Sequence, residues 1–212
     1  MTLLAALVER DCVLVAADGC STDTQIESPS LGHCSQATMV TEKLRQVPGR
    51  PLMWGSVGVT SPMDDFGDWL AMQKTTNWRA LETIVTSQVA SLNGAIQASF
   101  RASFGPGSNP PRVPGFGFGV MIAGYLGTAP GIALINEYGL SDRIEGQQAH
   151  FFGPFTATAR VAWAAVHKFV PDLAHEPATL GDFMSVLCDT IPELTLPIHV
   201  WRISPEDGCI RW

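Results

Sequence analysis

A chain of 212 residues with a formal net charge of -7 and an isoelectric point near 5.1 offers no basic surface for nucleic acid or an anionic membrane. Its length suits one domain, residues 1 to 212, with a substantial core. Hydrophobic residues make up 46% and charged ones only 16%, a balance that favours extra burial at subunit interfaces over a solitary monomer.

The opening Met1-Thr-Leu-Leu-Ala-Ala-Leu-Val8 has no basic leader, and Glu9, Arg10 and Asp11 interrupt it after a few residues, so it reads as structure and not as a secretion signal. No run approaches the roughly 18 apolar residues that cross a bilayer. Two apolar runs, Leu3 to Val8 and Cys12 to Ala17, flank the turn Glu9-Arg10-Asp11 and predict a hairpin of buried strands. Antiparallel pairing carries Asp18 back towards Thr2, about 5 Å across the ladder. Many domains open on such a hairpin without any chemistry in it, so this stretch alone leaves both readings open.

Gly19 to Glu42 is rich in Ser, Thr, Pro and Gly. Lys43 opens the next run. Leu44 to Val47 and Leu52 to Trp54 form a second predicted hairpin around Pro48-Gly-Arg-Pro51, followed by the small-residue segment Gly55-Ser-Val-Gly58. Helical spacing then takes over. Ser61-Pro62 with Asp64 and Asp65 marks a helix start, with Phe66, Trp69 and Leu70 sharing a face. From Trp78 to Phe104, Leu81, Ile84, Val85, Val89, Leu92, Ile96 and Phe100 line one side, a core-facing stripe.

Val120 to Tyr125 and Gly131 to Asn136 predict buried strands. Gly115, Gly117 and Gly119 precede the first of them without dinucleotide spacing, so they are no phosphate loop. Phe155 to Val170 predicts a further helix, and Thr179 can cap another that runs to about Asp189 with Leu180, Phe183, Met184 and Leu187 inside. Pro197 to Ile203 and Cys209 to Trp212 close the chain as a hairpin. Helix pairs between runs of antiparallel strands imply an α+β fold, a four-layer αββα sandwich.

His33, His150, His167, His175 and His199 show no HExxH spacing and no CxxC partner, so neither a zinc site nor another cofactor is expected. No Gly-x-Ser-x-Gly elbow occurs. The five cysteines, Cys12, Cys20, Cys34, Cys188 and Cys209, are odd in number and scattered, and read as reduced thiols of a cytoplasmic protein.

The order Thr2, then Ala16-Ala-Asp-Gly-Cys-Ser-Thr22, then Lys43-Leu, then Trp54-Gly-Ser-Val-Gly58 resembles the proteasome β-subunit and HslV-type peptidase family of N-terminal-nucleophile hydrolases. That family places a threonine at the chain start, an Ala-Ala-Asp or Gly-Asp-Gly segment with a Thr after it, a lysine at the next strand and an Ala-Gly segment beyond. Against that family Gly19 to Glu42 is longer than the usual hairpin, an insertion, and Cys20 stands where proteasome subunits usually carry Arg. Gly153-Pro-Phe-Thr156 is similar to the Gly-Ser-Gly-Ser segment that packs beside the nucleophile, and Cys188-Asp189-Thr190 to the Arg-Asp before the last strands. With Met1 alone ahead of Thr2, the chain is more similar to HslV-type members than to subunits carrying a propeptide.

The resemblance implies a threonine peptidase. A threonine hydroxyl needs a base within reach, and the α-amine of a chain-terminal threonine can serve once Met1 is removed. Lys43 would favour the neutral amine, Asp18 would hold Lys43, and the Gly55 N–H would stabilise the oxyanion. Thr156 and Asp189 would assist. Ser21, Thr22, Met53 and Val57 would line the substrate pocket. The resemblance further implies a peptide or unfolded-protein substrate, a homo-oligomeric ring and room for an ATPase partner. If Met1 stays, the amine belongs to the wrong residue, and the chain is a catalytically silent ring subunit.

Overall fold

A computed structural model of the chain describes residues 2–26, 34–40, 42–58, 63–103, 117–136, 141–144, 149–153, 177–190, 194 and 196–212. The opening hairpin forms as β1 (Leu4–Val8) and β2 (Val13–Asp18), with Leu4 opposite Ala17 and Val8 opposite Val13. Every residue of both strands is buried, because both of their faces are covered. Leu3, Ala5, Leu7, Leu14 and Ala16 point one way; Leu4, Ala6, Val8, Val13, Val15 and Ala17 point the other.

The Gly19 to Glu42 stretch, read above as an insertion, contains a two-stranded ribbon, β3 (Cys20–Ile26) paired with β4 (Cys34–Val40). Serines and threonines are compatible with strands as well as loops, so composition alone did not reveal it. β5 (Leu44–Gln46) and β6 (Leu52–Gly58) follow as the expected second hairpin, with β6 extended through Gly58.

α1 (Met63–Met72) forms where the spacing of Phe66, Trp69 and Leu70 predicts a helix, and α2 (Trp78–Ser103) starts at the predicted Trp78; Ser61, Pro62 and Phe104 lie outside the described residues. Asn77 caps α2, its Oδ1 accepting the Ala80 N–H at 2.9 Å. The buried spine of α2 is Trp78, Leu81, Val85, Val89 and Asn93, with Ile84 half-buried on its flank. Asn93 interrupts the apolar stripe for a reason. Its amide donates to Phe118 O at 2.8 Å and accepts the Phe118 N–H at 2.6 Å, clamping the start of the next strand.

That strand is β7 (Phe118–Leu126), which turns through Gly127, at a positive φ of 63°, into β8 (Ala129–Ile135). The Trp78 ring lies where a side chain on Gly131 would stand, and its Nε1 donates to Ala129 O at 3.0 Å. β9 (Ser141–Ile144) and β10 (Ala149–Phe152) are additional strands, too short and too polar around their ends to show as runs in the sequence. The predicted helix over Phe155 to Val170 falls outside the described residues.

α3 (Pro177–Thr190) begins two residues before Thr179, which is therefore inside the helix and not its cap; proline is pre-set for a helix's first turn. β11 (Ile198–Ser204) and β12 (Gly208–Arg211) close the chain.

The fold is α+β, with two antiparallel five-stranded sheets. The first has the order β10-β1-β2-β11-β12 and the second β5-β6-β7-β8-β9. Between them Leu4, Val15 and Ala17 of the first meet Leu44, Met53, Met121 and Ile132 of the second. Leu180, Met184 and Leu187 of α3 cover Leu3, Leu14 and Val200 of the first sheet. Phe66 and Leu70 of α1 and the spine of α2 cover Trp54, Phe118, Val120 and Ile135 of the second. No described helix is long and apolar enough to cross a membrane.

Candidate active site

A buried ion pair joins the two sheets beside the chain start. The β1–β2 register brings Asp18 beside the chain start, where its Oδ1 accepts the Leu3 N–H at 2.7 Å and its own N–H reaches Leu3 O at 3.3 Å. The other carboxylate oxygen, Oδ2, takes a hydrogen bond from Lys43 Nζ at 2.6 Å. Lys43 immediately precedes β5, so the pair joins the second sheet to the end of a strand of the first. Asp18 is 0% exposed and Lys43 5%. One carboxylate thus separates the lysine ammonium from the Thr2–Leu3 peptide, and Thr2 itself is half-buried.

Burial pushes the Asp18 carboxyl above its ordinary value of 3.8, and the Lys43 charge, the Lys43 hydrogen bond and the Leu3 N–H each pull it back. Its anionic form therefore depends on Lys43. The arrangement holds a cation next to the first residues of the chain, locked by groups from two sheets.

Two glycines make room around it. A side chain on Gly55 would stand 2.8 Å from Lys43 O and 3.1 Å from both Leu4 methyls, so its absence lets β1 close onto β6. A side chain on Gly153, just after β10, would stand 2.8 Å from Thr2 O and 3.0 Å from a Leu3 methyl. The Gly153 segment thus lies directly against Thr2.

The remaining sequence-predicted residues are distributed as follows. Ser21 and Thr22 sit near the start of β3, opposite Met39 and Thr38. Met53 is 0% exposed inside the inter-sheet core, because β6 alternation turns it towards Ala123 and away from any open surface. Val57, four residues on, is half-buried at the margin of that core. Asp189 is on the last turn of α3 with its side chain exposed, whereas its neighbour Cys188 is buried under the first sheet. Thr156 lies outside the described residues.

Sequence reasoning missed the groups that surround the pair. Glu42, adjacent to Lys43 in the chain, forms an ion pair with Arg211 at 3.4 Å. His199 is 8% exposed on β11, opposite Ala17. The Glu42-Lys43 step before a strand was visible as a signal; its partners required the strand order. Cys12, Cys188 and Cys209 are in no disulfide, and among the described residues no group of three His, Cys, Asp or Glu side chains could hold a metal.

No protein-family model matches the chain, and no curated protein matches it at a significant level.

Proposed function

We propose that the chain is an N-terminal threonine peptidase of the proteasome-like kind, with Thr2 as nucleophile once Met1 is removed, on a four-layer αββα sandwich. What carries this reading is the buried Lys43–Asp18 pair, tied to the Leu3 N–H one peptide from Thr2. A buried ion pair adds little stability over an apolar substitute of the same shape. Its position beside a chain-terminal hydroxyl is therefore better explained by chemistry. The four-layer arrangement is supported by three apolar clusters, one between the sheets and one under the helices on each outer face.

The free α-amine of Thr2, with an ordinary pKa of about 7.7 to 8.0, takes the proton from its own Oγ. Lys43 favours the neutral, proton-accepting amine through like-charge repulsion, and Asp18 keeps Lys43 in place. Oγ adds to the scissile carbonyl, whose oxygen becomes anionic and is met by the Gly55 N–H. The tetrahedral intermediate collapses, the leaving amine departs with the proton held by the Thr2 amine, and an acyl ester remains on Oγ. Water, deprotonated by the same amine, then releases the acid. Ser21, Thr22 and Val57 line the pocket for the substrate side chain in this reading, whereas Met53, buried between the sheets, does not; Thr156 and Asp189 are assisting groups in the same reading.

A homo-oligomeric ring belongs to this reading, supported by the low share of charged residues and by large apolar side chains at the surface, among them Met72, Val186 and Trp212. Substrates are peptides or unfolded proteins, which an ATPase partner would deliver, in a cytoplasmic setting.

Intact-mass measurement combined with turnover of fluorogenic peptides tests the assignment. The expected result is a chain beginning at Thr2, active as wild type and as Thr2→Ser, inactive as Thr2→Ala. A retained Met1, or equal turnover by Thr2→Ala, overturns it.

A further inference from the structure

The residues that precede β5 make two links to the first sheet, and only one of them belongs to the chemistry above. Lys43 reaches Asp18 on β2, and its neighbour Glu42 reaches Arg211 on β12. The charges are crossed: the cation of one pair and the anion of the other are consecutive in the chain. β11 runs between β2 and β12, and strand alternation puts Ile198 and Val200 against α3 and Trp201 and Ile203 between the sheets. His199 therefore shares the inter-sheet side with Trp201. It sits on the strand between the two ion pairs.

Arg211 is itself well fixed. It pairs with Trp201 across the β11–β12 ladder, its guanidinium lies 6.0 Å from the centre of the Trp201 ring, and the next N–H, of Trp212, donates to Val200 O at 2.9 Å. On the other side the Lys43 carbonyl lies close over Gly55. The segment holding Lys43 is thus gripped on both sides, by β6 beneath and by Arg211 at the edge.

We propose that Glu42 and Arg211 are positioning residues: an outer clamp between the last strand and the Lys43 segment that keeps the Lys43 ammonium seated on Asp18. The clamp rests on the peptidase reading for its purpose, but not for its detection. Burial, Arg211 and Lys43 hold the His199 imidazole below its ordinary value, against the pull of Glu42 and Asp18.

The pair is half-exposed, 49% on each side, so its effect is modest and sensitive to salt. In the full-length protein, Arg211→Gln and Glu42→Gln should each lower kcat about three- to fivefold at low salt with KM unchanged, and the difference should shrink in about 0.5 M NaCl. The exchanged pair Glu42→Arg with Arg211→Glu should recover most of kcat. Lysine acylation followed by mass spectrometry reads the clamp independently of turnover, with Lys74 on the same molecule as the reference; Lys43 labelling should rise about three- to fivefold in Arg211→Gln. Unchanged Lys43 labelling in Arg211→Gln, or no recovery in the exchanged pair, overturns the clamp. A wild type without Thr2-dependent turnover overturns the peptidase reading instead, and the labelling result still decides whether Arg211 seats Lys43.

Discussion

The space between the two sheets has two characters. Over most of its extent it is filled by Leu4, Ala6, Val15, Met53, Met121 and Ile132, whose burial stabilises the fold without regard to direction. At the end next to Thr2 it holds Asp18 and Lys43, two charges removed from water. The apolar part would tolerate many rearrangements of similar volume. The ionic part would not, since each charge depends on the placement of the other. The difference teaches that the pair demands one placement where the apolar part accepts many, and that its contribution to stability is small or negative.

Proton binding gives the same answer. The folded-state pKa of Asp18 is raised above 3.8, so the native state holds this proton more tightly than the unfolded chain does. That stabilising contribution is fully present below 3.8 and is lost as pH rises through the raised value. The ionised carboxylate is thus a cost at neutral pH, offset in part by Lys43.

Four variants would break or sharpen the contrast, beginning with the largest effect. Asp18→Ala leaves Lys43 buried without its counter-ion and should remove peptide turnover altogether while lowering unfolding stability by about 3 to 5 kcal/mol, measured by denaturant titration. In the apolar part, Ile132→Ala should cost a comparable 2 to 5 kcal/mol, roughly, yet retain kcat well below its melting temperature. Loss of kcat there would erase the distinction between the two regions.

The double variant Asp18→Leu with Lys43→Met comes next. It should be as stable as the wild type or more so, by up to about 4 kcal/mol, and inactive. A strongly destabilised double variant would mean the pair is structural. The smallest effect is at His199, where Arg211, Glu42, Asp18 and Lys43 are the charged groups that face the ring. Its folded pKa lies below the ordinary 6.5, so the unfolded chain binds more protons and stability falls as pH drops below that value. Thermal melts in mildly acidic buffer should show wild type losing about 1 to 3 °C more than His199→Asn, relative to neutral pH.

Activity should follow pH through Asp18 as well. Because burial raises its carboxyl above the ordinary aspartate value, kcat/KM should begin to fall on the acid side before an ordinary aspartate would titrate, and a profile flat down to about pH 4 would contradict the role given to the pair.

The hairpin of β1 and β2, the helices α1 and α2, and the β7–β8 pair could be read directly from periodicity, because each buries a face whose repeat is set by local geometry. So could the nearness of Asp18 to Thr2, which follows from the turn at Glu9-Arg10-Asp11. Three features could not. The β3–β4 ribbon is composed of residues that suit strand and loop alike, β9 and β10 are too short to show a period, and the start of α3 at Pro177 competes with a plausible cap at Thr179.

The chain alone also established that Lys43 opens a strand, but not what its ammonium touches. That depended on how the sheets stack, which turned Lys43 onto Asp18, set Arg211 against Glu42 and placed Gly153 over Thr2. Local pattern specifies which residues share a face; contacts between residues 25 or 169 positions apart are decided only when two sheets choose their register and close.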